Sequence, residues 1–133
     1  MSSSTASTDP RFKDNSQILK QILDELIGRN PDVLSALVVS DDGLNVASGI
    51  PHEEDDTIAL TASDLIDMAE DFSSRLGQGK LNRILLEGDQ RTTVVMSAGT
   101  RTVLAVLVPA DTKLGLITLS MRYAADQITA LFG

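Results

Sequence analysis

The residues with the widest chemical repertoire in this chain are carboxylates. Eight of them fall between positions 53 and 71, a segment without Lys or Arg: Glu53, Glu54, Asp55, Asp56, Asp64, Asp67, Glu70 and Asp71. Their number equals the size of the formal net charge of −8, so the acidic excess of the chain is concentrated in this segment. Carboxylates can transfer protons, bind cations or form an acidic docking face, and each use needs a different arrangement.

The sequence around these carboxylates contains no catalytic arrangement. His52 is the single imidazole, so it is the only one that could activate a serine, and no G-x-S-x-G turn is present. The segment Gly77–Lys80 follows a helical pattern and lacks the spacing of a phosphate-binding loop. The spacing of an EF-hand calcium loop is also missing. The sequence therefore predicts a protein that is not an enzyme, with no cofactor and no metal site.

The composition favours a protein as the binding partner. With 133 residues, 42% of them hydrophobic, and no cysteine, the chain can form one domain with its own core and no disulfide. Its acidity and its few aromatic residues disfavour nucleic acid and anionic membranes, which attract clustered Lys and Arg. No segment has the apolar length of a signal peptide or a transmembrane helix. We expect a cytoplasmic protein that binds a basic or mixed-charge protein.

Hydrophobic periodicity divides the chain into a tail and one α+β domain. Residues 1–15 are rich in Ser and Thr and are predicted to be a flexible N-terminal tail. The domain, residues 16–133, is predicted to contain helices at about 16–28, 57–76 and 112–132, and strands at 34–40, 44–48, 81–87, 92–97 and 102–108. The predicted inner stripe of the second helix is formed by Ile58, Ala62, Leu65, Ile66, Ala69, Phe72 and Leu76.

The character of the strands predicts how they are ordered. Short connections make hairpins of strands one and two, three and four, and four and five, and Gly43 can adopt the left-handed conformation that the first hairpin needs. Strands one and five are apolar at nearly every position, which is typical of strands covered on both faces. Placing them side by side gives a five-stranded antiparallel sheet of order 2-1-5-4-3. The long second helix would cover one face, and the N- and C-terminal helices the other.

The two edges of this predicted sheet differ. Strand two carries Asn45 and Gly49 and ends at Pro51, which discourages further pairing, whereas strand three is apolar and unprotected. We therefore predict a homodimer in which two copies of strand three pair about a two-fold axis near Leu85. The interface residues would be Arg83, Ile84, Leu85, Leu86 and Glu87, with Arg83 opposite Glu87 of the second copy. The alternative is that the chain covers this edge itself.

The order and lengths of these elements resemble the roadblock family of dynein-light-chain-related domains, in particular its bacterial, GTPase-associated members with an extra C-terminal helix. The resemblance covers about residues 16–132. It is carried by the segments ILDELIGRNPDV, ALVVSDDGLNVASG, TIALTASDLIDMAEDFSSRL, TTVVMSAGTRTVLAVLV and KLGLITLSMRYAADQI.

The resemblance implies a roadblock/profilin-like fold and a non-enzymatic dimeric regulator or adaptor of Ras-like small GTPases, in some bacteria within a sensor histidine kinase system. It implies pairing through the third strands and GTPase docking on the second helix. The candidate docking residues are Asp64, Asp67, Glu70 and Asp71. Three alternatives stay open: these acids are an ordinary solvated face, the protein is a scaffold of a signalling complex, or it is a small-molecule sensor.

Overall fold

The computed structural model of the protein describes residues 9–133. Within them lie the helices α1 Pro10–Asp14, α2 Ser16–Arg29, α3 Asp55–Arg75 and α4 Leu114–Phe132. The strands are β1 Ser35–Ser40, β2 Asn45–Ser48, β3 Ile84–Glu87, β4 Arg91–Ala98 and β5 Thr102–Pro109. The three predicted helices correspond to α2, α3 and α4. Residues 1–8 of the predicted tail lie outside the described residues.

All five strands form one antiparallel sheet of order β2-β1-β5-β4-β3, which confirms the predicted topology. In the centre, β1 pairs with β5 over its whole length, from Ser35 opposite Leu107 to Ser40 opposite Thr102. Every residue of β1 is buried, and so is every residue of β5 before Pro109. The two strands that are apolar at nearly every position are therefore the ones covered on both faces.

The core consists of two hydrophobic clusters, one on each face of the sheet. Ala36 and Val38 of β1 join α2 and α4 in the larger cluster. Leu37 and Val39 alternate with them and pack against α3 in the smaller one. The sheet therefore has the long helix α3 on one face and the helices α2 and α4 on the other. This confirms the predicted arrangement of the helices.

The β1–β2 turn is tied to α3. Gly43 has a φ of 84°, the left-handed conformation that was predicted for it. A side chain added there would stand 3.2 Å from Leu60 Cδ1 of α3. Glycine at this position therefore provides both the turn conformation and the close approach of the turn to the helix.

Strand β3 is shorter than predicted, because pairing with β4 begins at Ile84 instead of Leu81. The side chain of Leu81 packs against the cluster under α3. The chain therefore runs along the core before it joins the sheet. Arg83, a predicted interface residue, directly precedes the strand.

The N-terminal segment differs from the predicted tail, because residues 10–14 fold into α1. The Arg11 side chain and backbone N–H both donate to the carboxylate of Asp9, the N-cap residue, and lower the pKa of Asp9 to about 2. The stability that this charged cap contributes is fully present above pH 3.8, the ordinary pKa of the carboxyl, and is lost as the pH falls through about 2.

Phe12 of α1 is buried, and its ring meets Phe132 edge-on with the ring centroids 5.0 Å apart. A single aromatic anchor thus attaches a largely polar segment to α4.

Replacing Phe12 with alanine is expected to detach α1 and to lower the free energy of unfolding by about 1.5–3 kcal/mol, the value of one buried large apolar side chain. Chemical denaturation of the full chain measures this change. Lys13→Ala, an exposed position in the same helix, is the matched control and should change stability little. Equal stability of the Phe12 variant and the control would show that α1 does not stabilise the domain.

Candidate partner-binding surface

The four carboxylates predicted to bind a partner all lie exposed on α3, but the structure divides them into two pairs. Asp67 and Glu70 line a cleft beside the helix. Asp64 and Asp71 lie outside it, and Asp71 Oδ2 forms an exposed ion pair with Arg75 Nη2 at 3.0 Å. Ion pairs of this exposed type contribute little stability. The predicted acidic face therefore consists of two parts: Asp67 and Glu70 lie in the cleft, and Asp64 and Asp71 lie on the helix surface outside it.

The other four carboxylates of the acidic segment mark the beginning of α3. Asp55 is buried, and its Oδ2 accepts a hydrogen bond from the backbone N–H of His52 at 3.2 Å. Glu54 lies 3.8 Å from His52 Nδ1 and 3.6 Å from Arg91 Nη1 at the start of β4. Negative charge here also complements the dipole of the helix. We assign Asp55 and Glu54 to the attachment of α3 to the domain rather than to partner binding.

Helix α3 also exposes apolar side chains that sequence reasoning placed in the core or left out. Phe72 and Leu76 were predicted to be on the inner stripe, but they are 49% and 71% exposed. At 100° per residue, Phe72 points about 120° away from the buried Ile66. Leu60 and Met68, which are not on the predicted stripe, are exposed as well. Their presence outside that stripe indicated apolar side chains on another side of the helix, but the sequence did not show whether that side is exposed.

The outer edge of β3 is free, as far as the described residues show. Leu85 and Leu86 are 44% and 52% exposed. The backbone N–H of Gly88 donates to Arg91 O across the β3–β4 turn, so by alternation Leu86 and Ile84 also point their backbone groups towards β4. The N–H and C=O groups of Leu85 and Glu87 therefore point outwards. This edge can accept another strand through these two residues.

The exposed apolar side chains of α3 and of the β3 edge lie partly on the same face of the sheet. Ile84 packs in the cluster under α3, and side chains two apart on a strand share a face, so Leu86 faces the same side. Exposed apolar side chains at a free strand edge and on the helix that covers the same face of the sheet are typical of a surface that another protein covers.

The cleft beside α3 has a volume of about 530 Å³. Its lining comes from one side of α3, the β1–β2 turn, the residues before β3, the β4–β5 hairpin and α4. Charged lining residues are Asp41, Asp67, Glu70, Lys80, Arg122 and Asp126. Acids outnumber bases, so the cleft is acidic as a whole. Sequence reasoning did not find it, because Asp126 lies far from α3 in the chain.

No group of three or more His, Cys, Asp or Glu side chains that could hold a metal ion occurs within residues 9–133. None of the helices in the described part of the chain combines the length and hydrophobicity needed to cross a lipid bilayer.

Comparison with known proteins identifies the family. The model of the Roadblock/LC7 domain matches residues 19–108, from α2 through the second-last residue of β5. This chain belongs to the Roadblock/LC7 family. The uncharacterized protein MJ0714 of Methanocaldococcus jannaschii is 36% identical over 116 residues, which cover 86% of this chain and 97% of that protein. The predicted resemblance to the roadblock family is thereby confirmed.

Solved structures agree with this assignment. A Roadblock/LC7 domain from Streptomyces avermitilis has a TM-score of 0.77 at 26% identity, covering 84% of this chain and 94% of that one. The gliding protein mglB from Thermus thermophilus has the same TM-score at 15% identity, covering 98% of this chain and 97% of that one. Profilin IA of Acanthamoeba castellanii is similar in fold, with a TM-score of 0.52 at 12% identity over 84% of this chain and 96% of that one. The Roadblock/LC7 fold of this chain is thus also profilin-like, as predicted.

Proposed function

We propose that this protein is a non-enzymatic, homodimeric regulator that binds a Ras-like small GTPase and modulates its nucleotide cycle in a bacterial signalling system. The observation that carries the proposal is the surface of α3, where exposed apolar side chains lie on the same helix as exposed carboxylates. A small partner with a basic or mixed-charge surface fits such a helix, because apolar contact and charge complementarity act together.

The homodimer in this proposal forms through β3. The outward backbone groups of Leu85 and Glu87 can hydrogen-bond with a second copy related by a two-fold axis near Leu85. Arg83 then stands opposite Glu87 of the second copy, a favourable cross-strand pair. The two sheets become continuous, and the two α3 helices contribute to one larger docking surface.

Binding and nucleotide turnover test the function directly. A Ras-like GTPase from the same genome is expected to form a complex with this protein in gel filtration, and its GTP hydrolysis or nucleotide release is expected to change several-fold. Single-turnover hydrolysis and fluorescent-nucleotide release measure the two steps separately. The same GTPase alone, loaded with GDP or with a non-hydrolysable GTP analogue, serves as the reference. The absence of a complex with every Ras-like GTPase of the genome at micromolar concentration would contradict the proposal.

A scaffold in a multi-protein assembly, for example with a sensor histidine kinase, would use the same surfaces. It would form the complex and leave both nucleotide rates unchanged, so the two rate measurements separate the scaffold from the regulator.

A further inference from the structure

A basic cavity lies at the beginning of β3. Its volume is about 440 Å³, and it is lined by the end of α3, by the segment that leads to β3 and by Leu85 of the free edge. Lys80 and Arg83 are its charged lining residues, and Gln78 and Asn82 add side-chain amides. The chain has a net charge of −8, yet the described lining of this cavity carries two positive charges and no carboxylate. Such a cavity favours an acidic occupant.

The segment that carries Lys80 is held in place by the fold. Ser73 of α3 is only 4% exposed, and its hydroxyl donates a hydrogen bond to Gly79 O at 2.9 Å. Gly79 has a φ of 82°, a left-handed conformation that residues other than glycine rarely adopt. The backbone next to Lys80 therefore has a defined course, and the cavity is already formed in the single protomer.

The other end of β3 carries the opposite charge. Glu87 is the last residue of the strand, and Asp89 follows in the turn to β4. Both are exposed. Within residues 9–133, neither these two acids nor the two bases of the cavity form an ion pair. A strand rises about 3.3 Å per residue, so Arg83 and Glu87 stand roughly 13 Å apart, too far to pair within one chain.

This charge distribution makes the edge complementary to a second copy of itself. The two-fold axis of the proposed dimer already sets Arg83 opposite Glu87 of the second copy. Continuing that register by two residues places Asp89 of the second copy level with Leu81, next to Lys80. Antiparallel pairing thus brings the acids of one copy to the bases of the other, whereas parallel pairing would place like charges side by side.

We propose that the β3–β4 turn of each copy docks at the basic cavity of the other, with Asp89 beside Lys80. The occupant of the cavity is therefore a second copy of this chain, and each dimer contains the contact twice. The contact selects the partner, because a chain with opposite charges at these positions would be repelled. The inference rests on the proposed function, because it specifies how the homodimer of that proposal forms.

Two charge-reversed variants test the contact between copies. Lys80→Glu places a carboxylate against Asp89 of the second copy, and Asp89→Lys places an ammonium group against Lys80. Each variant alone therefore has two repulsive contacts in its dimer, and its dissociation constant should rise at least about tenfold. An equimolar mixture should form a heterodimer of nearly wild-type affinity, because both contacts are attractive again. Sedimentation velocity measures the affinities, and native mass spectrometry distinguishes the heterodimer from the homodimers.

Lys13→Glu and Asp14→Lys are the matched controls. They reverse the same two charges at exposed positions of α1, and they should dimerise like the wild type, alone and mixed. Circular dichroism should show all four variants to be folded, since every substitution is at an exposed position.

The outcomes separate the docking contact from the proposed function. If the Lys80 and Asp89 variants dimerise as tightly as the controls, or if their mixture is no tighter than either alone, the inference is overturned and pairing through β3 stands. A wild-type chain that stays monomeric would overturn both the inference and the homodimer. Restored affinity in the mixture, in a protein that binds no Ras-like GTPase, would support the docking contact and contradict the proposed function.

Discussion

Replacing Leu85 with proline is expected to convert the dimer into a folded monomer. The N–H of Leu85 points away from β4, so its loss leaves the pairing within the chain intact, and proline is tolerated at such edge positions. In the dimer the same N–H would donate to Leu85 of the second copy, so the variant loses both symmetric hydrogen bonds. At about 0.5–1.5 kcal/mol each, and with the proline rings inserted between the strands, the dissociation constant should rise by about tenfold to a hundredfold or more. Sedimentation velocity at micromolar concentration measures the change.

Controls separate loss of dimer from loss of fold. Leu85→Ala keeps the N–H and should remain dimeric, while circular dichroism should show the Leu85→Pro variant to be folded. Arg83→Glu and Glu87→Arg place like charges opposite each other in the proposed register, so each should weaken the dimer, and the double variant should restore it. A monomeric wild-type protein, or a Leu85→Pro variant that sediments as a dimer, would contradict pairing through β3.

Reversing three charges on α3 is expected to have the second large effect. The variant with Asp64, Asp67 and Asp71 changed to lysine should associate with a Ras-like GTPase at least about tenfold more slowly at low salt. Complementary charges speed up encounter, and reversed ones oppose it. The difference from wild type should shrink as ionic strength rises, because the Debye length falls to about 8 Å at 0.15 M. Stopped-flow or surface-based kinetics at two salt concentrations measure both effects.

The matched control for this variant changes the same charge elsewhere. Asp14, Asp32 and Asp111 are exposed and lie outside α3. Their replacement by lysine also takes the net charge from −8 to about −2, since each substitution adds two units. Equal slowing in both variants would show that total charge, and not the face of α3, governs the encounter. Undiminished binding by the α3 variant would leave its carboxylates as a solvated face.

The strand order of the sheet could be predicted from the sequence because several local signals agreed. The central position of β1 and β5 followed from their uninterrupted apolar character, and the short turns required hairpins. Gly43 has the left-handed conformation that its turn demands. The unprotected edge at β3 could also be predicted, because the strand contains no proline or inward-pointing charge that would prevent pairing with another strand. Each of these inferences depends on neighbours within one element or one turn, where spacing alone restricts the geometry.

Only part of the exposed surface of α3 could be predicted from the sequence. Periodicity separates an inner from an outer side, but it does not say how much of a helix the sheet covers. Phe72 and Leu76 therefore looked like core residues although both are exposed. The acidic face was predicted correctly as exposed, but its division into a cleft pair and an outer pair depends on where the β4–β5 hairpin and α4 end.

The sequence by itself determined the types and order of the elements, the central strands, the free edge and the concentration of charge on one helix. Only the tertiary structure decided that Phe12 folds back onto Phe132, that α3 carries an exposed apolar surface, and that Asp126 joins Asp67 and Glu70 around one cleft. The reason is the range of the interactions involved. Turns, helices and strand faces depend on residues a few positions apart, whereas a cleft or a docked terminus depends on side chains that meet only after the chain has packed.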